Sequence, residues 1–158
     1  MMRRSICSVM VLTIGLTAAS GIAMAARGFN LRTISGGYSL KMSGWDMATP
    51  ATPVSIIGNL SANRGVLSGN VAINDGGVIC TTDLSQGSSY SVTKDGTGTI
   101  TAVLDSAGAS CKGALPIGVL VLNLTIVNNG YGMDLGALSA SPAIMVLSGS
   151  ATFQGRIK

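Results

Sequence analysis

The sequence predicts an all-β protein, an antiparallel up-and-down meander of about eight or nine strands that forms a small closed or nearly closed barrel. A β-sandwich is the alternative. Three observations favour this fold class. Glu and His are absent, and the loss of Glu removes a common helix former. Gly, Ser, Thr and Val are abundant, as is typical of short strands and tight turns. Alternating segments and turn signals follow one another every ~8–12 residues.

Residues 1–25 have the organisation of a secretory signal peptide. A basic start at Arg3-Arg4 precedes an apolar run from Ile6 to about Leu16, and Ala23-Met24-Ala25 provides a small-residue cleavage site. The apolar run is too short for a membrane anchor, so we expect no transmembrane segment in the mature chain. The sequence therefore predicts an exported protein, periplasmic or extracellular.

The mature chain is expected to be a lead-in segment over residues 26–35 and a single β domain over residues 36–158. Its first strand carries Tyr38, Leu40 and Met42 on one face, a period-two pattern typical of a half-buried strand. Residues 44–53 are expected to form a loop because two prolines lie within them.

The next strands also alternate. Val54, Ile56 and Leu60 mark the second strand, in which Gly58 suggests a bulge. Turns are expected at residues 63–65, 74–77 and 94–96, where Gly, Asn and Asp tolerate positive φ. Between and after these turns lie strands built on Leu67, Val71 and Ile73, on Val78–Thr82, on Tyr90 and Val92, and on Thr97–Leu104.

The C-terminal third begins with a longer loop over residues 106–116. A clear inward face follows on Leu120, Leu122, Leu124 and Ile126. After a turn at residues 128–130, the pattern predicts short segments at Met133–Leu135 and Ile144–Leu147. A last alternating segment runs from Ala151 to Ile157.

Two cysteines remain after the predicted leader, Cys80 and Cys111. Exported proteins meet an oxidising compartment, so this pair is expected to form a disulfide. Two separate buried thiols are the competing interpretation, because only the distance between the two residues decides.

The residue types exclude most catalytic sites. Without His, no Ser-His-Asp or Cys-His arrangement exists, and zinc sites of the His or Cys₄ kind are excluded too. The acids are all Asp, and Asp75, Asp83 and Asp95 are interpreted as turn and cap residues. We expect no catalytic residues, no metal and no cofactor. An enzyme would need a polar cluster inside the barrel, which Asn123 or Asp134 would have to supply.

The aromatic residues are two Phe, three Tyr and one Trp, too few for the girdles of an outer-membrane barrel. Trp45, Tyr38 and Tyr90 are the ligand-binding candidates. Apolar neighbours on the same face favour a core role for the two tyrosines. Trp45 is expected in the loop, where it would cap a barrel mouth or bind a partner or a sugar.

Several segments share a pattern of strand and turn residues: Gly37-Tyr38-Ser39-Leu40, Gly65-Val66-Leu67-Ser68-Gly69, Tyr90–Ile100 with its Asp95-Gly96-Thr97-Gly98, and Gly149–Gln154. In this pattern the chain resembles a group of exported, functionally uncharacterised β domains of environmental bacteria. The resemblance implies export and a barrel-like fold. It implies no activity, and the cysteine pair is not part of it.

The functional hypothesis is a secreted or periplasmic, non-catalytic binding module. It would act through a barrel interior, a barrel mouth or its surface, on an apolar small molecule or a cell-surface component. The first alternative is a structural component of an extracellular matrix or surface assembly that self-associates through strand edges. The second is a barrel-type cyclase or isomerase-like enzyme. The net charge of +4 includes Arg3 and Arg4 of the leader. The other basic residues are scattered along the chain and form no run, so no nucleic-acid partner is expected.

Overall fold

A computed structural model describes residues 28–105, 117–142 and 144–156 of the chain. The described residues form β-strands joined by turns, with one short 3-10 turn at Asn128–Gly130. The strands are β1 (Gly36–Asp46), β2 (Thr52–Asn63), β3 (Val66–Asp75), β4 (Val78–Asp83), β5 (Ser89–Val92), β6 (Thr97–Val103), β7 (Ile117–Val127), β8 (Gly132–Pro142) and β9 (Met145–Gly155).

The strands close into an antiparallel barrel. β1 pairs with both β2 and β9, and the remaining neighbours follow chain order through β8, β7, β6 and β5 to β3. The β2–β3 ladder completes the circle, so β1, β2, β3 and β5 to β9 form a closed eight-stranded barrel with β4 as an additional strand. This confirms the predicted all-β barrel and excludes the β-sandwich. Closure also gives these eight strands hydrogen-bonded neighbours on both sides.

β4 and β5 lie in line along β3, interrupted by residues 84–88. β4 pairs with residues 70–75, and Ser89 of β5 pairs with Val66 at the other end of β3. Within the interruption, the Ser88 side chain is buried, and its hydroxyl accepts a hydrogen bond from the Val103 amide at 3.0 Å. The hydroxyl also donates to the Val103 carbonyl at 3.2 Å. These two bonds satisfy a polar side chain that would otherwise cost free energy inside the barrel wall.

The barrel interior is filled by the inward faces that the alternation predicted. Buried and less buried residues alternate along each strand, because successive side chains of a strand point to opposite faces. Inward side chains from all eight barrel strands form one contiguous hydrophobic core. Its largest members with almost no solvent exposure are Tyr38, Ile34, Met42, Ile56, Ile73, Ile100, Leu122, Leu124, Met133 and Met145.

The first predicted loop is shorter than expected. β1 extends to Asp46, which pairs with Thr52, so only residues 47–51 connect β1 to β2. Gly44 and Trp45 therefore lie on a strand, and the prediction of a loop over residues 44–53 was wrong at both ends. Pro53 is typical of a loop, but a proline is also compatible with the start of a strand, and Pro53 is the second residue of β2.

The predicted bulge at Gly58 is also wrong, because the β1–β2 register runs through this residue without a shift. A Cβ atom on Gly58 would lie 2.3 Å from the Asn70 carbonyl oxygen of β3. Glycine here permits the close approach of the β2 and β3 backbones. Four other glycines approach the neighbouring strand as closely. A Cβ atom on any of them would lie 1.9–2.1 Å from a carbonyl oxygen of that strand: Gly44, Gly69, Gly98 and Gly149.

β8 and β9 are longer than the short segments predicted. Gly, Ala and Ser dominate the second half of β8, and Ser148–Ser150 interrupts the apolar pattern of β9. Small residues hide a strand from a periodicity argument because they carry little hydrophobic signal. The part of the last predicted segment that lies beyond Arg156 is outside the described residues.

Residues 28–35, here called the cap segment, cross one end of the barrel. The Phe29 amide donates to the Lys94 carbonyl at 3.1 Å, and the Asn30 side chain accepts from the Arg32 amide at 2.9 Å in a tight turn. Ile34 closes this end with only 1% of its surface exposed. We call this the capped end. It also carries the β2–β3, β5–β6 and β7–β8 turns, and the β1–β2 and β3–β4 turns lie at the far end.

Cys80 is inside the wall, on β4 opposite Ile73, with 1% of its surface exposed. Cys111 falls outside the described residues. The Cys80–Cys111 disulfide therefore stays a prediction.

Candidate functional site

A groove of about 730 Å³ opens at the capped end, within the size range of small-molecule sites. Its walls come from parts of the chain that are distant in sequence: the cap segment, the end of β2 with the β2–β3 turn, the 3-10 turn, and the end of β9. We call it the capped-end groove.

Three arginines line the capped-end groove: Arg32 of the cap segment, Arg64 of the β2–β3 turn and Arg156 directly after β9. All three side chains are exposed. None of the described lining residues is acidic, and none of the three guanidinium groups forms an ion pair with a described residue. A concave surface lined by positive charges concentrates anions. Guanidinium groups bind carboxylate and phosphate oxygens through two parallel hydrogen bonds.

Arg64 occupies a backbone position that disfavours its residue type. It has φ +48°, and Gly65 follows with φ +90°, as in the tight two-residue turns that join antiparallel strands. Asn, Asp or Gly is preferred at the first of these positions, because a longer side chain carries a steric cost at positive φ. Turn geometry therefore does not explain an arginine here, although it does explain Gly65.

An aromatic series leads from the core to the groove. The Tyr38 and Phe153 ring centroids are 5.5 Å apart at 69°, and those of Phe153 and Tyr131 are 5.6 Å apart at 88°. Both contacts are edge-to-face, an arrangement preferred by aromatic pairs. Phe153 is partly buried, and Tyr131 leaves 66% of its surface exposed. The Tyr131 ring is thus positioned against Phe153 and still available at the groove.

Neutral hydrogen-bonding side chains complete the wall. Asn63 and Asn129 present amides, and Thr33, Ser35 and Ser61 present hydroxyls. Asn129 lies in the 3-10 turn with φ +55°, a conformation that asparagine tolerates. The capped-end groove therefore combines cations, amides, hydroxyls and one exposed ring.

Tyr38 and Tyr90 are buried, with 1% and 5% of their surface exposed. The Tyr38 hydroxyl donates to the Gly130 carbonyl at 2.9 Å, and the Tyr90 hydroxyl donates to the Leu31 carbonyl at 2.9 Å. Burial raises the pKa of Tyr38 to about 12, and the neighbouring Tyr90 contributes in the same direction. The two phenols have the core role that their neighbours favoured, and they also fix the backbone behind the groove. A ligand contact for either stays a prediction.

Trp45 lies elsewhere, on the outer face of β1 near the far end, with 53% of its surface exposed. Its cross-strand neighbours are Pro53 and Val146. The Met47 amide donates to the Ile144 carbonyl at 2.8 Å, which brings two further exposed apolar side chains nearby. We call Trp45, Met47, Ile144 and Val146 the far-end patch. The structure thus does not bring Trp45 together with Tyr38 and Tyr90.

Three of the described aspartates, Asp95, Asp75 and Asp46, accept hydrogen bonds that support local structure. The Asp95 carboxylate accepts hydrogen bonds from the Thr93 hydroxyl, from the Thr97 amide at 3.1 Å and from the Thr97 hydroxyl at 2.8 Å. These bonds lower the pKa of Asp95 to about 2, with the Thr93 hydroxyl contributing most. Asp75 accepts from the Thr52 hydroxyl, and buried Asp46 accepts from the Ala48 amide at 2.9 Å.

The polar groups considered for an enzyme do not lie inside the barrel. Asn123 and Asp134 are exposed on the outer surfaces of β7 and β8. Within the described ranges, no group of three or more His, Cys, Asp or Glu side chains could hold a metal ion. A second groove of about 680 Å³ lies on the outer wall across β1 to β4, where Lys41 and Asp83 give it mixed charge.

Sequence reasoning missed the residues of the capped-end groove. Arg32, Arg64 and Arg156 are far apart in the chain, and only the barrel register brings them to one end. One signal was available, since Arg64 stands directly before Gly65 in a turn where Asn is common. Tyr131 also follows a turn and belongs to no alternating face.

No family model, curated protein or solved structure matches this chain. Among the described residues, no helix has the length and apolar character needed to span a membrane.

Proposed function

We propose that this protein is an exported, non-catalytic binding module that holds an anionic ligand in the capped-end groove. The observation that carries the proposal is the meeting of Arg32, Arg64 and Arg156 around one groove of about 730 Å³ with no acidic described residue in its lining. Since the three arginines are exposed, a ligand meets them without first breaking an ion pair to a described residue.

The surface is a better ligand site than the barrel interior. Inward side chains from the eight barrel strands already form one contiguous core, and interiors of this kind are close-packed. An apolar ligand would have to displace that packing. The capped-end groove needs no such displacement.

A binding role also fits the residue types. Without His, the chain lacks the usual general base, and Asn123 and Asp134 face outward and not into a shared cavity. The raised pKa of Tyr38 keeps its phenol protonated, as suits a hydrogen-bond donor to Gly130.

Calorimetric titration with short-chain polyphosphate tests the proposal. We expect binding that weakens with added salt, and at least a roughly tenfold loss of affinity for Arg64→Asn, because one charge-assisted contact is removed. Lys41→Gln, on the outer wall, is the matched control for the loss of one positive charge and should keep the wild-type affinity. Equal affinities for the wild type, Arg64→Asn and Lys41→Gln would contradict a site in the groove, as would the absence of binding.

The far-end patch supports a second candidate function, a structural component that self-associates. Barrel closure removes the free edges on which strand-to-strand assembly of the eight barrel strands would depend. A second copy would instead bury Trp45 and its neighbours, which are more than half exposed. Sedimentation at increasing concentration should then show a mass increase that Trp45→Ser abolishes. A single monomeric species at all concentrations would exclude this role.

The resemblance to exported β domains of environmental bacteria remains part of the proposal. Its motifs lie on β1, on the β2–β3 turn with the start of β3, on the β5–β6 hairpin and on β9. All four segments reach the capped end, because β1 begins there and β9 ends there, so the shared pattern would help to form the walls and support of the groove. Export and a periplasmic or extracellular location are supported by the leader pattern of residues 1–25.

A further inference from the structure

We infer that the ligand of the capped-end groove is an acidic sugar chain, one whose rings carry carboxylate or ester-sulfate groups. This inference rests on the proposed function and names its ligand class. Three features of the groove point to this ligand class: the spread of its cations, the exposed Tyr131, and the neutral amides beside them.

The cations are distributed over three separate elements. Arg32 belongs to the cap segment, Arg64 to the β2–β3 turn and Arg156 to the residue after β9, and each is exposed. A single small anion is held by donors that converge in a desolvated pocket. Charges around an open groove suit a longer ligand that bears several separated anionic groups.

Tyr131 favours an acidic sugar chain over polyanions that contain no sugar ring. The residue is 66% exposed and lines the same groove as the arginines, and its ring is positioned by the edge-to-face contact with Phe153. A tyrosine ring offers a flat apolar surface with a polar tip, which packs against the apolar face of a sugar ring. A simple polyphosphate has no apolar face, so it would gain nothing from this ring.

The amides of Asn63 and Asn129 supply both donors and acceptors, as sugar hydroxyls require. Neutral sugars alone would leave the three guanidinium groups without partners. The combination of arginines, one exposed ring and two amides therefore fits an anionic sugar chain better than either a neutral sugar or a bare polyanion.

Calorimetric titration of the mature chain with four probes of matched length tests the inference. The probes are oligogalacturonate, its neutral methyl ester, a sulfated dextran oligomer and polyphosphate. We expect at least one acidic sugar probe to bind roughly tenfold tighter than both the methyl ester and polyphosphate. The stronger of the two acidic sugars identifies carboxylate or sulfate as the preferred group.

Three variants separate this inference from the proposed function. Arg64→Asn should weaken binding of acidic sugar and polyphosphate alike. Tyr131→Ala should weaken only the acidic sugar, by roughly tenfold, and Tyr131→Phe should retain that affinity. If polyphosphate binds as tightly as the sugars and Tyr131→Ala changes neither, the inference fails and the anion site stands. If Arg64→Asn changes no affinity, the proposed function fails as well.

Discussion

The Tyr38 hydroxyl donates a 2.9 Å hydrogen bond to the carbonyl of Gly130, which joins the first strand of the barrel to the turn before β8. The phenol is buried, and its ring also packs against Phe153. One side chain therefore links the core, the 3-10 turn and the aromatic series that reaches the capped-end groove.

Tyr38→Phe removes this hydrogen bond and leaves a carbonyl without its partner in a buried environment. We expect the free energy of unfolding to fall by about 1–3 kcal/mol. Urea denaturation of both proteins measures the difference, and the slope of the transition should not change. A Tyr131→Phe variant is the control, since its hydroxyl belongs to an exposed residue, and it should be near neutral. Equal stability of the wild type and Tyr38→Phe would contradict a structural role for the bond.

Alkaline pH should destabilise the protein through the same phenol. The pKa of Tyr38 is about 12 in the folded state, against an ordinary value of 10.0. Between these values the unfolded chain releases a proton that the folded chain retains, so stability falls as the pH rises through this window. Ultraviolet absorbance of the folded protein should show an ionisation step at about pH 12 that is missing in Tyr38→Phe. The absence of any step that depends on Tyr38 would contradict the burial argument.

Asp95 makes the stability of the protein depend on pH in the opposite direction, in the acidic range. Its folded-state pKa of about 2 lies below the ordinary 3.8, so its stabilising effect is present above that ordinary value and is lost as the pH falls towards 2. Asp95→Ala should lower the urea midpoint at pH 7, and the difference from wild type should narrow in acid. A difference that is constant from pH 7 to pH 2 would show that the hydrogen bonds to Thr93 and Thr97 do not depend on the charge.

Gly58 should not accept even a methyl group. The Cβ atom of Gly58→Ala would lie 2.3 Å from the Asn70 carbonyl oxygen, so β2 and β3 would have to separate. Overpacking of this kind costs about 1–3 kcal/mol of unfolding free energy. Gly37→Ala is the control, because its Cβ would be 3.6 Å from the nearest carbonyl oxygen, an ordinary contact. If thermal denaturation shows the same loss for both variants, the cost reflects strand propensity and not close packing.

Alternation of polar and apolar residues predicted the strands in which neighbouring side chains differ strongly in polarity. Tyr38, Leu40 and Met42 define the inward face of β1, and the turn at Gly76 and Gly77 follows from residues that tolerate positive φ. Local rules failed where glycine or small residues carried the strand, as at Gly44 and Gly58. Those glycines depend on contacts with the neighbouring strand, which the sequence of one strand does not reveal.

The candidate site was less predictable for the same reason. Trp45 stands out in the sequence because tryptophan is rare, yet it lies at the far end, away from Tyr38 and Tyr90. Arg32, Arg64 and Arg156 are individually ordinary surface residues. Their meeting depends on which strand ends share one rim of the barrel, and this is fixed only once the circle of strands has closed.

The most direct test of the account is to map the ligand contact by NMR. Amide and arginine side-chain signals of the isotopically labelled mature chain are followed while short-chain polyphosphate, the simplest anionic probe, is added. An anion site in the capped-end groove predicts shifts at Arg32, Arg64 and Arg156, with the far-end signals of Trp45 and Val146 unchanged. Shifts centred on the far-end patch, or no shifts at all, would contradict an anion site in the capped-end groove.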